Sequence, residues 1–209
     1  MNRMCGRYYI ADEGAAEELR QIIDEVNRKY NGSVVKLAGE VYPTDTIPVI
    51  ANGRSEQTAA FAMAWGHRFE NGPMVFTARS EDAETKPMFA DGMKQRRCLV
   101  PASCYYEWEH VGKEKIKYAI KSKGSRMIYM AGIYRPVQAK GKRIGHECFI
   151  LTRDPAEEIR FIHDRMPVIL PKEATVDWLN PKYAAGDVLK AATIDMEYHP
   201  ISGQIHMFA

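Results

Sequence analysis

The 209-residue chain is poor in cysteine, with four, and holds no Cys-x-x-Cys pair. That argues against a zinc ribbon and against a disulfide scaffold, and makes reduced thiols the expectation. No apolar run approaches the roughly 18 residues of a spanning helix, so no membrane association is expected. The first seven residues, Met1-Asn2-Arg3-Met4-Cys5-Gly6-Arg7, lack the apolar stretch of a signal peptide, which makes a cytoplasmic location the default. Charge is nearly balanced, 29 basic against 27 acidic residues for a net +2. That excludes a histone-like polycation and permits a local anion-binding face. There is no repeat, no low-complexity stretch, no glycine-rich phosphate loop and no Gly-x-Ser-x-Gly elbow. The six histidines show no metal-ligand spacing.

What is present is ordinary globular composition, 45% hydrophobic and 27% charged, in a chain long enough to bury a core. Apolar residues at Leu19, Ile22, Ile23, Val26 and Tyr30 predict a helix over 12–30, capped by Asp12 and stopped at Asn31-Gly32. Short β-like runs follow at Val34–Leu37, Ile47–Ala51, Thr58–Trp65 and Met74–Ala78. Further runs are Cys98–Pro101, Cys104–Glu109, Ile116–Lys121, Met127–Tyr134 and Glu147–Thr152, with hairpin turns expected at Gly112-Lys113 and Lys123-Gly124-Ser125. Short helices are expected within 87–96, 174–179 and 184–192, and a strand at Met166–Leu170. Asp154-Pro155-Ala156-Glu157 has the pattern of a capped helix start, predicting a helix to about Ile162. Helices and strands do not alternate regularly, so the reading is an α+β single domain over 1–209, with a bent mixed sheet or open-barrel core flanked by helices.

Several residues could carry chemistry. Cys5 reads either as a small buried hydrophobe or, beside Arg7, as an activated thiol. If processing exposed it as the first residue, it would offer an α-amine and a β-thiol together. That pair traps an aldehyde as a Schiff base and then closes a five-membered thiazolidine. Arg79 ends a β-like run in Phe76-Thr77-Ala78-Arg79-Ser80-Glu81. Its planar fork suits a phosphate, or it pairs with Glu81 or Glu84. In Cys104-Tyr105-Tyr106-Glu107-Trp108-Glu109, alternation separates Cys104, Tyr106 and Trp108 from Tyr105, Glu107 and Glu109. Glu107 is then either a proton-shuttling carboxyl with a raised pKa among aromatics, or a cross-strand partner for a lysine. His163, in Ile162-His163-Asp164-Arg165-Met166-Pro167, falls where a pocket position is plausible between an apolar helix and an apolar strand. The basic run Lys113, Lys115, Lys117, Lys121, Lys123 and Arg126 is a solvated edge or a phosphate-tracking surface.

Cys5-Gly6-Arg7-Tyr8, Thr77-Ala78-Arg79-Ser80-Glu81, Arg97-Cys98-Leu99-Val100-Pro101-Ala102, Tyr106-Glu107-Trp108 and His163-Asp164-Arg165-Met166-Pro167 stand in order. Together they resemble the SRAP family, SOS-response-associated peptidase-like, abasic-site-processing proteins. The resemblance runs from Cys5 to about Leu170. It implies a DNA-damage-response enzyme, acting as a monomer, that binds abasic sites in single-stranded DNA and forms a covalent thiazolidine to an N-terminal cysteine. It implies no metal or cofactor, and hydrolase (autoproteolytic peptidase) and lyase chemistry. Carried over residue by residue, Cys5 is the crosslinking nucleophile. Arg7 and Arg79 hold phosphates, Glu107 moves protons, His163 hydrogen-bonds the hydroxyl released on ring opening, and Thr152 lines the site.

Three departures accompany it. Residues 1–4 precede the cysteine, so the leader is expected to be absent or removed in the active form. Thr77 stands where many members have Asn, and a hydroxyl reaches less far than an amide. Trp65-Gly66-His67-Arg68-Phe69 departs from the aromatic-rich stretch many members carry, leaving Phe69 as the candidate for base stacking. Two other readings fit the same residues: a thiol peptidase or N-terminal-nucleophile amidase using Cys5, His163 and Glu107, and a non-covalent single-stranded nucleic-acid-binding module.

Overall fold

Most of the chain's period-two runs form strands, and the strands fall into two sheets. The computed structural model describes residues 6–10, 16–30, 35–53, 57–139 and 142–201. In chain order these hold β1 (Arg7–Ile10), α1 (Glu17–Lys29), β2 (Gly39–Val41), β3 (Thr46–Asn52), β4 (Thr58–Trp65), β5 (His67–Arg68), β6 (Met74–Val75) and β7 (Thr77–Arg79). Next come α2 (Ala90–Gln95), β8 (Arg97–Ala102), β9 (Cys104–Val111), β10 (Glu114–Ser122), β11 (Ile128–Ala139) and β12 (Lys142–Arg153). The chain continues with β13 (Met166–Pro167), β14 (Ile169–Leu170), α3 (Thr175–Leu179), α4 (Ala185–Leu189) and β15 (Met196–Pro200).

The larger sheet runs β12-β4-β3-β8-β11, and β11 pairs back onto β12, closing a five-stranded barrel. The β12–β4 contact is parallel and the others around the ring are antiparallel, so the barrel is mixed. This bears out the α+β class and the barrel-like core, and it closes the sheet that the sequence left open. All five barrel strands feed one apolar cluster, with Val49, Met63, Val100, Met130 and Ile150 among its members. A second cluster on the opposite strand faces, including Leu99, Ile133, Phe149 and Leu151, is covered by Met93 of α2 and Trp178 of α3. Helix α1 buries Leu19, Ile22 and Val26, and lays Ile22 and Val26 against Ala60 of β4.

The smaller sheet has the order β15-β10-β9-β1-β2. Its inner residues Tyr8, Tyr105, Tyr118 and Ile120 join the barrel's own cluster, so the two sheets share a core. Gly112, at a positive φ of 62°, makes the tight β9–β10 turn that alternation predicts.

Several expected elements differ. Helix α1 starts at Glu17 after Ala16, and the expected cap Asp12, the stop Asn31-Gly32 and Val34 lie outside the described residues. Val35–Leu37 is not a strand, whereas Gly39–Val41 is. The helix expected after Asp154 shrinks to a single 3-10 turn, Glu157–Ile159, because the Asp154 carboxylate accepts from Arg165 Nη1 at 2.7 Å and caps nothing. The turn at Lys123-Gly124-Ser125 is not a hairpin. Strands β10 and β11 belong to different sheets, since β15 has taken the edge of β10. Among the described residues no helix is long and apolar enough to cross a membrane.

Candidate functional site

The acid lies on β9. Antiparallel pairing aligns Arg7 with Tyr106, Tyr8 with Tyr105 and Tyr9 with Cys104. Alternation works as expected: Tyr105 and Glu107 point inward, and Glu107 is only 3% exposed. The residue directly across from Glu107 on β10 is Tyr118, not a lysine. Lys117 falls on the other face, where its Nζ lies 2.8 Å from Glu40 Oε1 and 3.8 Å from the centre of the Tyr106 ring.

Arg7 shares that outer face. Its Nη1 is 3.3 Å from Glu40 Oε1, and its guanidinium stacks 4.8 Å from Tyr42 and 5.0 Å from Trp108. Arg7 and Glu107 therefore occupy opposite faces of the smaller sheet. Glu40, Tyr42 and Trp108 hold Arg7 in a cation–aromatic stack that sequence spacing does not reveal. Cys5 lies outside the described residues.

The second group lies at the end of β7. This short strand runs parallel to β12, aligning Thr77 with Ile150 and Arg79 with Thr152. Thr77 and Thr152 are buried, and the Thr152 hydroxyl is 3.5 Å from the Ala78 carbonyl. Arg79 is exposed and makes no ion pair among the described residues. Glu81, one of its two expected partners, forms a two-pronged bond to Arg165 instead, with both N···O distances 2.7 Å.

Arg165 is the residue that motif reading missed. It is 7% exposed. Besides Glu81 and Asp154 it donates to the Thr152 carbonyl at 2.8 Å. It thus ties the corner after β7, the end of β12 and the turn carrying His163 into one unit. An arginine flanked by an apolar strand was the available signal. Partial burial would raise the Glu81 carboxyl, but the hydrogen bonds and charge of Arg165, together with a backbone hydrogen bond and the charge of Arg79, outweigh it and hold Glu81 below its ordinary value. A carboxyl lowered in this way stabilises the fold above about pH 4.3 and loses that contribution as pH falls through its lower folded value. Glu81→Ala leaves a buried guanidinium short of two charged bonds. We expect a loss of about 2–3 kcal/mol by denaturant midpoint, reduced from the range for fully buried pairs because half the Glu81 side chain is exposed. The gap to wild type should narrow on acidification below pH 4. An equal gap at pH 7 and pH 2.5 would count against the clamp.

His163 is nearly enclosed, its side chain 9% exposed. Nδ1 accepts the Arg165 backbone N–H at 3.1 Å and also lies 3.0 Å from Asp164 Oδ1. These contacts need opposite states of one nitrogen. The backbone donor is fixed and Asp164 is largely exposed, so the neutral ring keeps its proton on Nε2.

The two groups are joined through aromatic packing. The Tyr8 ring lies 5.2 Å from Trp65, whose indole N–H donates to the Phe76 carbonyl at 3.0 Å, just before Thr77. Phe161, two residues before His163, packs 5.9 Å from Tyr118, the neighbour of Glu107. Gly66, at φ +89°, could not carry a side chain, because a Cβ there would lie 2.7 Å from that of Phe76. It opens the β5–β6 hairpin, where an open cavity of about 670 Å³ is lined by His67, Arg68, Phe69 and Asn71. Phe69 is 41% exposed and packs edge-on against His67. His67 bonds the buried Glu147, which Arg135 also engages.

Three of the six members of the basic run are held in ion pairs: Lys117 with Glu40, Lys121 with Glu197, Lys123 with Asp195. The described thiols are quiet. Burial pushes Cys98 and Cys148 up, and it pushes Cys104 to about 11. With iodoacetamide at neutral pH, Cys98, Cys104 and Cys148 should stay unmodified in the folded protein and react on unfolding. Peptide mass spectrometry reads this out, and rapid labelling of Cys104 would contradict it.

A family model described as SOS response associated peptidase (SRAP) matches residues 4–207. The chain is 29% identical over 220 residues to the abasic site processing protein YoqW of Bacillus subtilis, covering 97% of this chain and 94% of that one. It is 30% identical over 134 residues to the abasic site processing protein HMCES of Gallus gallus, covering 53% of this chain and 40% of that protein. A crystal structure of a protein from Bacteroides thetaiotaomicron superposes with a TM-score of 0.77 at 26% identity, covering 94% of this chain and 92% of the other.

Proposed function

Because this chain belongs to the SRAP family, we propose that it processes abasic sites in single-stranded DNA by forming a thiazolidine between Cys5 and the ring-opened sugar. The relatives' names support abasic-site processing, and the chain's own residues support the route. The observation that carries the reading is Arg79, an exposed arginine at a strand end beside Thr152 that makes no ion pair among the described residues. A peptidase has no use for such a cation, whereas a phosphate beside a lesion does.

The chemistry needs Cys5 at the amino terminus. In our reading the leader is removed by the thiol itself. Sulfur attacks the Met4 carbonyl, the peptide C–N bond breaks as a proton reaches the nitrogen, and water hydrolyses the thioester to free the thiol. The Cys5 amine then adds to the sugar aldehyde and loses water to give the imine. The thiol adds to the imine carbon while the nitrogen takes a proton, closing the ring.

Glu107, buried yet paired in register with a tyrosine, takes and returns these protons. His163 presents Nε2–H to the hydroxyl freed when the sugar opens. Arg79 and Arg7 hold phosphates. Thr77 and Thr152 line the floor. Holding amine and aldehyde together supplies on the order of 7–11 kcal/mol in well-oriented model reactions. Capture by sulfur also diverts the imine from the elimination that would break the strand.

The test is a chain beginning at Cys5, mixed with a single-stranded oligonucleotide carrying one abasic site and run on a denaturing gel. A shifted covalent band is expected. Its absence overturns the proposal. Intact mass of the full-length product reports whether residues 1–4 are removed.

A further inference from the structure

Three aromatic side chains beside Glu107 and His163 have no part in the chemistry above. Phe161 follows the Glu157–Ile159 turn, Tyr118 lies on β10 and Tyr198 on β15. Their ring centres are 5.4 Å (Phe161–Tyr198), 5.8 Å (Tyr118–Tyr198) and 5.9 Å (Tyr118–Phe161) apart, every pair edge-on. Tyr118 forms the base, buried, its hydroxyl donating to Glu109 Oε2 at 2.9 Å. Phe161 and Tyr198 stand out of the surface, 49% and 37% exposed. Edge-on packing of the three leaves ring surface open to solvent, where a flat apolar ligand can stack.

Position indicates what covers it. Tyr118 is directly opposite Glu107 on the same face, and opposed side chains on a sheet sit about 4.5–5.5 Å apart at Cβ. Phe161 precedes His163 by two residues. The shelf therefore contains the residue across the sheet from the acid and one two positions before the imidazole. Beside it, Arg160 is 58% exposed and among the described residues pairs with Glu157 alone, itself 84% exposed, so a cation is available for a phosphate.

We infer that Phe161 and Tyr198, seated on Tyr118, stack the unpaired base adjoining the abasic sugar and so set the lesion over Glu107. This rests on the function proposed above. An abasic sugar has no base of its own to hold it, so its neighbour must be gripped. Stacking on an aromatic face accepts any base, which suits a protein that reads a lesion rather than a sequence.

The test uses the whole chain and single-stranded oligonucleotides carrying tetrahydrofuran, an unreactive abasic sugar, with 2-aminopurine on its 5′ or its 3′ side. In wild type, aminopurine on one side should be quenched. Phe161→Ala and Tyr198→Ala should lose that quenching and weaken binding by about 5- to 150-fold, the loss expected when one stacked base is given up. Phe161→Leu keeps apolar packing without a π face and should behave like Phe161→Ala, whereas Phe161→Trp should restore quenching. Equal quenching and affinity in wild type and in the Ala and Leu variants overturns the inference. So does dimerisation of wild type by light scattering that Phe161→Ala abolishes without touching DNA binding, which would assign the shelf to a second copy. If wild type neither binds this DNA nor crosslinks to a true abasic site, the underlying function fails. If it does both and the variants match it, only the shelf fails.

Discussion

With the leader absent, Cys5→Ala is expected to abolish the heat-stable band with abasic single-stranded DNA. The alanine amine can still form an imine, but imines hydrolyse, and only the sulfur closes a ring that survives denaturation. Cys5→Ser separates the two steps. It should give no stable band alone and a clear band when borohydride reduces the imine. Because an α-amine in a model peptide titrates at about 7.7–8.0, imine trapping is expected to rise with pH through that range. A stable, reductant-independent band from Cys5→Ala would mean that another residue is the nucleophile.

Glu107→Gln should slow wild-type crosslinking by about 10²- to 10⁴-fold, the usual contribution of a placed acid–base group. Gln matches the carboxyl in size, so the buried position should hold and the melting temperature shift little. Affinity for the tetrahydrofuran oligonucleotide should change far less than the rate, because the side chain faces inward, away from Arg7. A rate within threefold of wild type would remove Glu107 from the chemistry. A matching collapse of stability would make it a core residue only.

Much of this site was readable before folding. The inward turn of Glu107 follows from strict alternation through Tyr105 and Trp108, since a one-residue slip would expose Tyr105. Thr58–Trp65 was legible as a strand to its ends, and α1 from its apolar stripe. The failures share one cause, a local signal outbid by a distant partner. Asp154 looks like a helix cap, yet Arg165, 11 residues on, offers its carboxylate a charged donor. Glu81 looks like the partner of Arg79 by spacing, yet the same arginine takes it with two bonds and leaves Arg79 with no ion pair among the described residues.

Composition and periodicity by themselves determined the α+β class and the two faces of the Cys104–Glu109 strand, because those depend on neighbours one to four residues away, and the ordered motifs carried the resemblance to the family. Only the tertiary structure decided that the sheet closes into a barrel, that Arg7 stacks on the face opposite Glu107, and that Arg165 draws two corners together around His163. Ring closure and ion pairing join residues dozens of positions apart, and which partner wins is set by the geometry of the packed chain.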